Sequence, residues 1–237
     1  FTSENNWKKH SVSGDYKYRS DGLFKFIRLD GASVIMKNYQ NDVLGQMTRI
    51  GSKIEFNNAF EVELRAETWN KFQFDDYVFN DTYEYKIDIN YSTPKIFFKV
   101  SNDWGDAIAR NIAVPELGDR KNISANAWIN VTDQLFVGAN IRQSELTSKI
   151  TGEDFFSGYI GSVKTTYQFN KNSFVKLNYE YNNFNEDSYL QALFQWQPDS
   201  ATIFYFGGTF NREDIAGTWE NESSQIYMKF QYLFNFD

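Results

Sequence analysis

The sequence has 237 residues, a formal net charge of −7 and no cysteine. A single domain is expected, disulfide and thiol chemistry are excluded, and the acidic balance argues against nucleic acid, whose phosphates need a basic footprint. Aromatic residues make up 19% of the chain, with 23 Phe and 15 Tyr, yet mean hydropathy is negative and no run approaches the ~18 apolar residues of a membrane helix, so a helical membrane protein is excluded as well.

Residues 1–20 are the least legible stretch. The run KKHSVSGDYKYRS holds either one short strand over about 11–18 or a lead-in segment. Strands are expected next over 23–29 and 33–39, joined at Asp30-Gly31, a strong hairpin dipeptide. The following pair, 46–56 and 60–69, flanks Asn57-Asn58-Ala59. Thr48, Ile50, Ile54 and Phe56 share a face with Phe60, Val62, Leu64 and Ala66, while Arg49, Lys53, Glu55, Glu61, Glu63, Arg65 and Glu67 share the other. Pairing Phe56 with Phe60 sets Lys53 opposite Glu63 and Arg49 opposite Glu67, each pair worth ~0.2–1 kcal/mol.

An Asp- and Phe-rich loop is expected over 71–81. Tyr83, Tyr85, Ile87, Ile89 and Tyr91 then alternate with Glu84, Lys86, Asp88 and Asn90, and beyond a turn at Pro94, Ile96, Phe98 and Val100 alternate with Phe97 and Lys99. A long loop over 104–121 leads to Ile123, Ala125, Ala127, Ile129 and Val131, set against Ser124, Asn126, Trp128 and Asn130. After Thr132-Asp133, Leu135, Val137, Ala139 and Ile141 oppose Phe136, Asn140 and Arg142. A second long loop, 144–157, precedes strands over 158–169, 173–181, 188–197 and 201–210, and a third, 211–222, precedes the terminal strand at 224–237. There Ile226, Met228, Phe230, Tyr232, Phe234 and Phe236 fall on one face, with Gln225, Tyr227, Lys229, Gln231 and Asn235 behind them. Side chains alternate across a strand, so this period describes a sheet with an oily face and a wet one.

Tight turns alternating with longer loops mark an up-and-down barrel with short periplasmic turns. The expectation is an all-β, antiparallel up-and-down transmembrane β-barrel of the outer-membrane type, with about 14 strands and its last strand running inward. Wet-face residues expected to line the lumen are Arg49, Lys53, Glu63, Arg65, Glu84, Asp88, Lys99, Arg142, Lys164, Lys176, Glu180 and Lys229. Those expected to face lipid or a partner are Tyr179, Tyr181, Phe194, Trp196, Phe230, Tyr232, Phe234 and Phe236. Neither sign dominates the wet face, so strong ion selectivity is not expected. Trp104 and Trp219, in the expected loops, suit stacking on sugar rings or a partner protein and equally a place at the lipid interface.

No catalytic residue, metal or cofactor is expected. The only histidine, His10, lies in the poorly legible segment, whereas a triad needs a fixed scaffold. Carboxylate pairs such as Glu61 and Glu63, or Asp75 and Asp76, read as solvated partners of Lys and Arg. Asp103 with Asp106, and Glu153 with Asp154, lack the 12-residue calcium-loop signature. The expected partners are outer-membrane lipid, another outer-membrane protein and a glycan ligand. Two functional readings stay open: a passive or accessory channel or surface-binding component in glycan uptake, and a non-catalytic structural subunit of a larger outer-membrane secretion, assembly or uptake complex.

Within residues 122–236, the segments TTYQFNKNSFVKLNYEYNNFN, ALFQWQPDSATIFYF and QIYMKFQYLFNF bring together a Tyr-x-Phe strand end, a tight polar turn, a Tyr-rich strand tip and a terminal Lys-x-x-Tyr-Leu-Phe. These motifs resemble the C-terminal barrel region of a Gram-negative outer-membrane family of unknown function that is associated with a family-9-like carbohydrate-binding domain. Members of that family are several times longer. The resemblance implies a barrel fold, an outer-membrane location and a link to glycans, with this chain as a terminal segment, and it transfers no catalytic residue.

Overall fold

The computed structural model describes residues 7–233, so Phe234 and Phe236 lie outside the described residues. Apolar and polar side chains alternate along most of the chain, and the backbone follows that period into strands. In order these are β1 (Trp7–Arg19), β2 (Phe24–Asn38), β3 (Val43–Phe56), β4 (Phe60–Phe74), β5 (Tyr77–Phe79), β6 (Thr82–Ser92), β7 (Ile96–Ala109), β8 (Glu116–Asn130), β9 (Leu135–Ser148), β10 (Asp154–Asn170), β11 (Ser173–Asn182), β12 (Asp187–Trp196), β13 (Thr202–Ile215) and β14 (Thr218–Tyr232). The described residues are all-β, their 14 antiparallel strands in up-and-down order, with β5 beside β4 off the main path.

By backbone contacts the described residues divide into two compact units, one within Phe1–Ser92, Lys99–Ile123 and Ser144–Ser157, the other within Thr93–Phe98, Ser124–Gln143 and Gly158–Asp237. In the first unit the expected register of β3 on β4 holds, with Lys53 across from Glu63 and Arg49 across from Glu67. β6 continues both rows, adding Asp88 beside Glu63 and Glu84 beside Glu67. The opposite face runs Ile54, Val62, Ile89 and then Ile50, Ala66, Tyr85. In the second unit the wet rows run Asn178, Gln191, Thr209, Gln225, and the oily rows run Val175, Phe194, Phe206, Met228.

Neither face supplies a soluble core. Among the described residues the buried hydrophobic side chains are Val34, Ala109 and Leu146, while Met228 is 72% exposed, Ile226 69% and Phe230 65%. Contiguous apolar surface on this scale is uncommon on a soluble monomer and calls for an apolar solvent.

Several expected elements take a different form. Asp30-Gly31 makes no hairpin: 24–38 is one strand, in which Gly31 lies between Gly14 and Ile50. The alternation that puts Ile27, Leu29 and Ile35 on one face runs straight through the dipeptide, and the Asp30 carboxylate meets the guanidinium groups of Arg28 at 3.8 Å and Arg49 at 3.9 Å. His10 sits in a regular strand, across from Ile35. The long loops expected over 104–121, 144–157 and 211–222 contract to 110–115, 149–153 and 216–217, and the 71–81 loop is largely occupied by the end of β4 and by β5. The terminal strand starts at Thr218, ahead of residue 224. Most strands are longer than the ~9–11 residues that cross the hydrocarbon. Beyond that depth both faces meet water, so the oily alternation stops while the ladder continues.

Candidate functional site

The wet face of the first unit is a charged network built by register. Arg49, Lys53, Glu63, Arg65, Glu84, Asp88 and Lys99 all belong to it. The pairing is mostly diagonal or along the strand, although the Cα register is direct: Lys53 meets Glu61 at 2.8 Å, Arg65 meets Glu63 at 3.0 Å, and Arg49 turns to Asp30. Asp88 receives Lys86 at 3.3 Å and Lys99 at 3.8 Å. Long, flexible side chains choose among several acids on such a surface, and each exposed pair adds at most about 1 kcal/mol.

At the end of these strands near the 110–115 turn, the wet face holds a cavity of about 370 Å³ whose lining includes Trp69, Phe72, Glu84, Asp106, Arg110 and Arg120. Trp69 and Phe72 meet edge to face, with centroids 5.2 Å apart, and Trp69 Nε1 donates to Glu67 at 2.8 Å. Arg120 lies 2.9 Å from Glu84 and 3.2 Å from Asp103, but its Nε and Nη2 make no aligned hydrogen bond. The cavity therefore offers guanidinium donors, a carboxylate acceptor and an aromatic edge. Gly105 shapes it: with φ at 133°, its backbone passes so close to Tyr83 that an added Cβ would collide with the Tyr83 carbonyl. That bend lets Asp106 Oδ2 accept the Tyr83 backbone N–H at 2.9 Å, while Oδ1 takes the Lys149 ammonium.

Three of the four acids considered for metal binding, Asp103, Asp106 and Asp154, have polar partners. Asp103 accepts from Asn122 at 2.9 Å as well as pairing with Arg120, and Asp154 accepts from Thr147.

In the second unit the wet face is poorer in charge. Among the described residues, Arg142, Lys164, Lys176, Glu180 and Lys229 form no ion pair; Lys176 instead stands over the Phe174 ring at 4.9 Å. Amides fill the remaining space, as where Asn178 donates to Gln191 at 3.1 Å. Beside the 93–95 and 131–134 turns, three rings make a row: Phe97 stacks on Trp128 at 5.9 Å and 14°, and Trp128 on Phe136 at 6.1 Å and 29°. A cavity of about 220 Å³ next to Trp128 and Phe136 is bordered by Asn126, Asn140, Ser162 and Lys164.

Phe97, Trp128 and Phe136 were absent from the candidate residues, although each is an aromatic at a wet-face position of its strand. That parity was the available signal. Arg120 was hidden in a presumed loop.

The six described residues expected to face lipid or a partner, Tyr179, Tyr181, Phe194, Trp196, Phe230 and Tyr232, all take the oily parity. Phe230 lies across from Phe204, which in turn lies across from Trp196. Two apolar hollows mark that face. One, of about 540 Å³ in the first unit, is lined by Leu29, Ile50, Leu64, Ala66 and Ile87, with the stacked rings of Tyr85 and Trp104 5.7 Å apart. The other, of about 340 Å³ in the second unit, has Ala125, Ala127, Ala139 and Gly161 in its lining with Tyr159 and Tyr181. Trp104 and Trp219 both lie on strands, β7 and β14.

No family model matches the sequence, and no curated protein matches it. Among solved structures the chain is similar to the siderophore receptor PirA from Pseudomonas aeruginosa, at 8% identity and a TM-score of 0.48, over 86% of this chain and 48% of that one. It is also similar to the CymD monoaromatic hydrocarbon channel, at 10% identity and a TM-score of 0.35, over 97% and 88% of the two chains. A third similar structure is a Pseudomonas aeruginosa FadL homologue, at 9% identity and a TM-score of 0.30, over 84% and 69%. The chain spans about half the length of the receptor. What those proteins bind is theirs. Up-and-down antiparallel strands with an oily face and a wet face are the strand pattern expected of an outer-membrane β-barrel.

Proposed function

We propose that this chain forms the wall of an outer-membrane channel that passively admits hydroxylated solutes, glycans among them. The Phe97–Trp128–Phe136 row carries the reading. A sugar ring has an apolar face and a hydroxyl rim, so it stacks on a flat aromatic strip and exchanges hydrogen bonds with amides and hydroxyls such as those of Asn126, Asn140 and Ser162. The opposed charges of the first unit support passage without strong preference for either sign. The resemblance of residues 122–236 to a barrel family associated with carbohydrate binding is kept as part of this proposal. Titration calorimetry of the detergent-solubilised protein with a linear glucose oligosaccharide tests it. Binding by the wild type, weakened about five- to tenfold by Trp128→Ala, is expected. Equal binding by both proteins would overturn it.

The second reading, a structural subunit of a larger outer-membrane complex, is favoured by the hollow at Leu29, Ile50 and Leu64, which has the size and apolar lining to take a partner's side chains. It predicts a stable companion barrel that co-purifies with the wild type and is lost on Leu64→Arg.

A further inference from the structure

The oily face of the second unit ends in a cavity with a mainly apolar wall and a polar rim. It measures about 720 Å³ and is lined by Tyr179, Ser188, Phe210, Arg212, Trp219 and Asn221 among others, at the end of β11–β14 that carries the 183–186 and 216–217 turns. Tyr179, Leu190, Phe210 and Ser224 form one row of the ladder on this face. The next row outward is Ser188, Arg212 and Asn221. A register shift between Asn211 and Arg212 sets up that row.

Three donors converge there, none of them paired with an acid. Among the described residues no ion pair or hydrogen bond engages the Arg212 side chain. Ser224 Oγ donates to Asn221 Oδ1 at 2.8 Å, which occupies the Asn221 carbonyl and leaves its amide NH₂ to donate elsewhere. The Ser188 hydroxyl has no partner among the described residues. Glu213 pairs across to Glu220 at the opposite parity, and Asp214, across from Trp219, stands on the same face one row farther out, its Oδ1 buried and without a hydrogen bond. Trp219 and Tyr181 lie with centroids 6.0 Å apart beside the cavity, as aromatic residues do where lipid tails give way to headgroups.

An arginine on the lipid side costs ~2–4 kcal/mol at mid-depth and ~0–1 kcal/mol near the interface, so Arg212 is tolerated at this depth and gains from an anion beside it. A guanidinium fork flanked by an amide and a hydroxyl matches the oxygens of a phosphate. We propose that this cavity binds the phosphate-bearing headgroup of an outer-leaflet lipid. Arg212 pairs with the phosphate, Asn221 Nδ2 and Ser188 Oγ donate to it, and Tyr179, Phe210 and Trp219 cover the adjoining apolar part. The inference rests on the membrane placement of the oily face and is independent of whether the channel conducts.

Native mass spectrometry of the delipidated protein in detergent tests it, with diphosphoryl lipid A, its dephosphorylated form and inorganic phosphate as separate probes. The expected result is retention of the phosphorylated lipid, a loss of about tenfold or more in Arg212→Gln, a smaller loss in Arg212→Lys, and no change in Lys171→Gln at the opposite end of the same strands. Equal retention by wild type and Arg212→Gln would overturn the proposal. Equal retention of the dephosphorylated lipid would reduce the cavity to apolar contact and also overturn it. Inorganic phosphate binding as tightly as the lipid would assign the cavity to a free anion, again against the proposal. Because Arg212→Lys keeps the charge, it reads the site even where Arg212→Gln fails to fold. Conductance recorded on the same samples separates this result from the channel reading, since a silent protein can still retain lipid.

Discussion

Single residues set the tightest constraints in this chain. Gly105 has a φ of 133° against the Tyr83 carbonyl, so Gly105→Ala is expected to cost about 1–3 kcal/mol, read as a lower urea midpoint for unfolding from lipid vesicles. The hairpin joining β13 and β14 turns on Ala216 and Gly217, with φ of 54° and 84°. That geometry suits a left-handed two-residue turn, in which Asn-Gly is favoured and alanine is strained, so Ala216→Asn should stabilise by about 0.5–1 kcal/mol, read as a higher urea midpoint. Lys149 lies in the turn after β9. Its ammonium is held above the usual lysine range of 10.5, first by the hydrogen bond to Asp106 and further by the charges of Asp106 and Asp119, with burial acting in the opposite direction. A group whose pKa is raised on folding stabilises fully below its unfolded value and loses that contribution as pH climbs through the folded one. Cleavage within 149–153 by an alkali-tolerant protease should therefore stay low up to about pH 10 and rise above it, while Lys149→Arg, which remains charged, should delay the rise.

At the scale of strands, period 2 is the working signal, and it can be checked because the chain lacks cysteine. Cysteines placed singly at Gln225, Lys229 and Gln231 should react with a membrane-impermeant thiol reagent in reconstituted protein, whereas those at Met228 and Phe230 should be protected. Uniform labelling of all five would remove the two-faced sheet. Leu177→Arg and Ile226→Arg, in the middle row of the oily face, should each cost ~2–4 kcal/mol. The sequence was legible where alternation was strict: β3 and β4 could be read with their register, down to Lys53 across from Glu63, and β6 and β14 with their two faces. It misled where local chemistry imitated a turn, at Asp30-Gly31, because the surrounding alternation and two arginines favour an unbroken strand. It fell silent where strands ran on past the strict alternation: Asp106 and Arg120 fall in an expected loop, yet both lie on strands, where Arg120 pairs with Glu84 and Asp106 accepts the Tyr83 amide. The agreement on 14 strands is partly accidental, since two expected strands are the single β2 and the short β5 was not expected.

For the molecule as a whole, composition and alternation made the all-β, up-and-down class readable, but the candidate site less so. The parity of Phe97, Trp128 and Phe136 was visible, but only the pairing of β7, β8 and β9 brings the rings into a row. The Arg212 cavity likewise depends on a register shift that no local pattern announces. The central claim is that the wet face borders a water-filled path across the membrane, and single-channel recording of the purified protein in a planar bilayer tests it most directly. The account predicts steady openings with little preference between potassium and chloride. Persistent silence from a folded, heat-modifiable protein would contradict it.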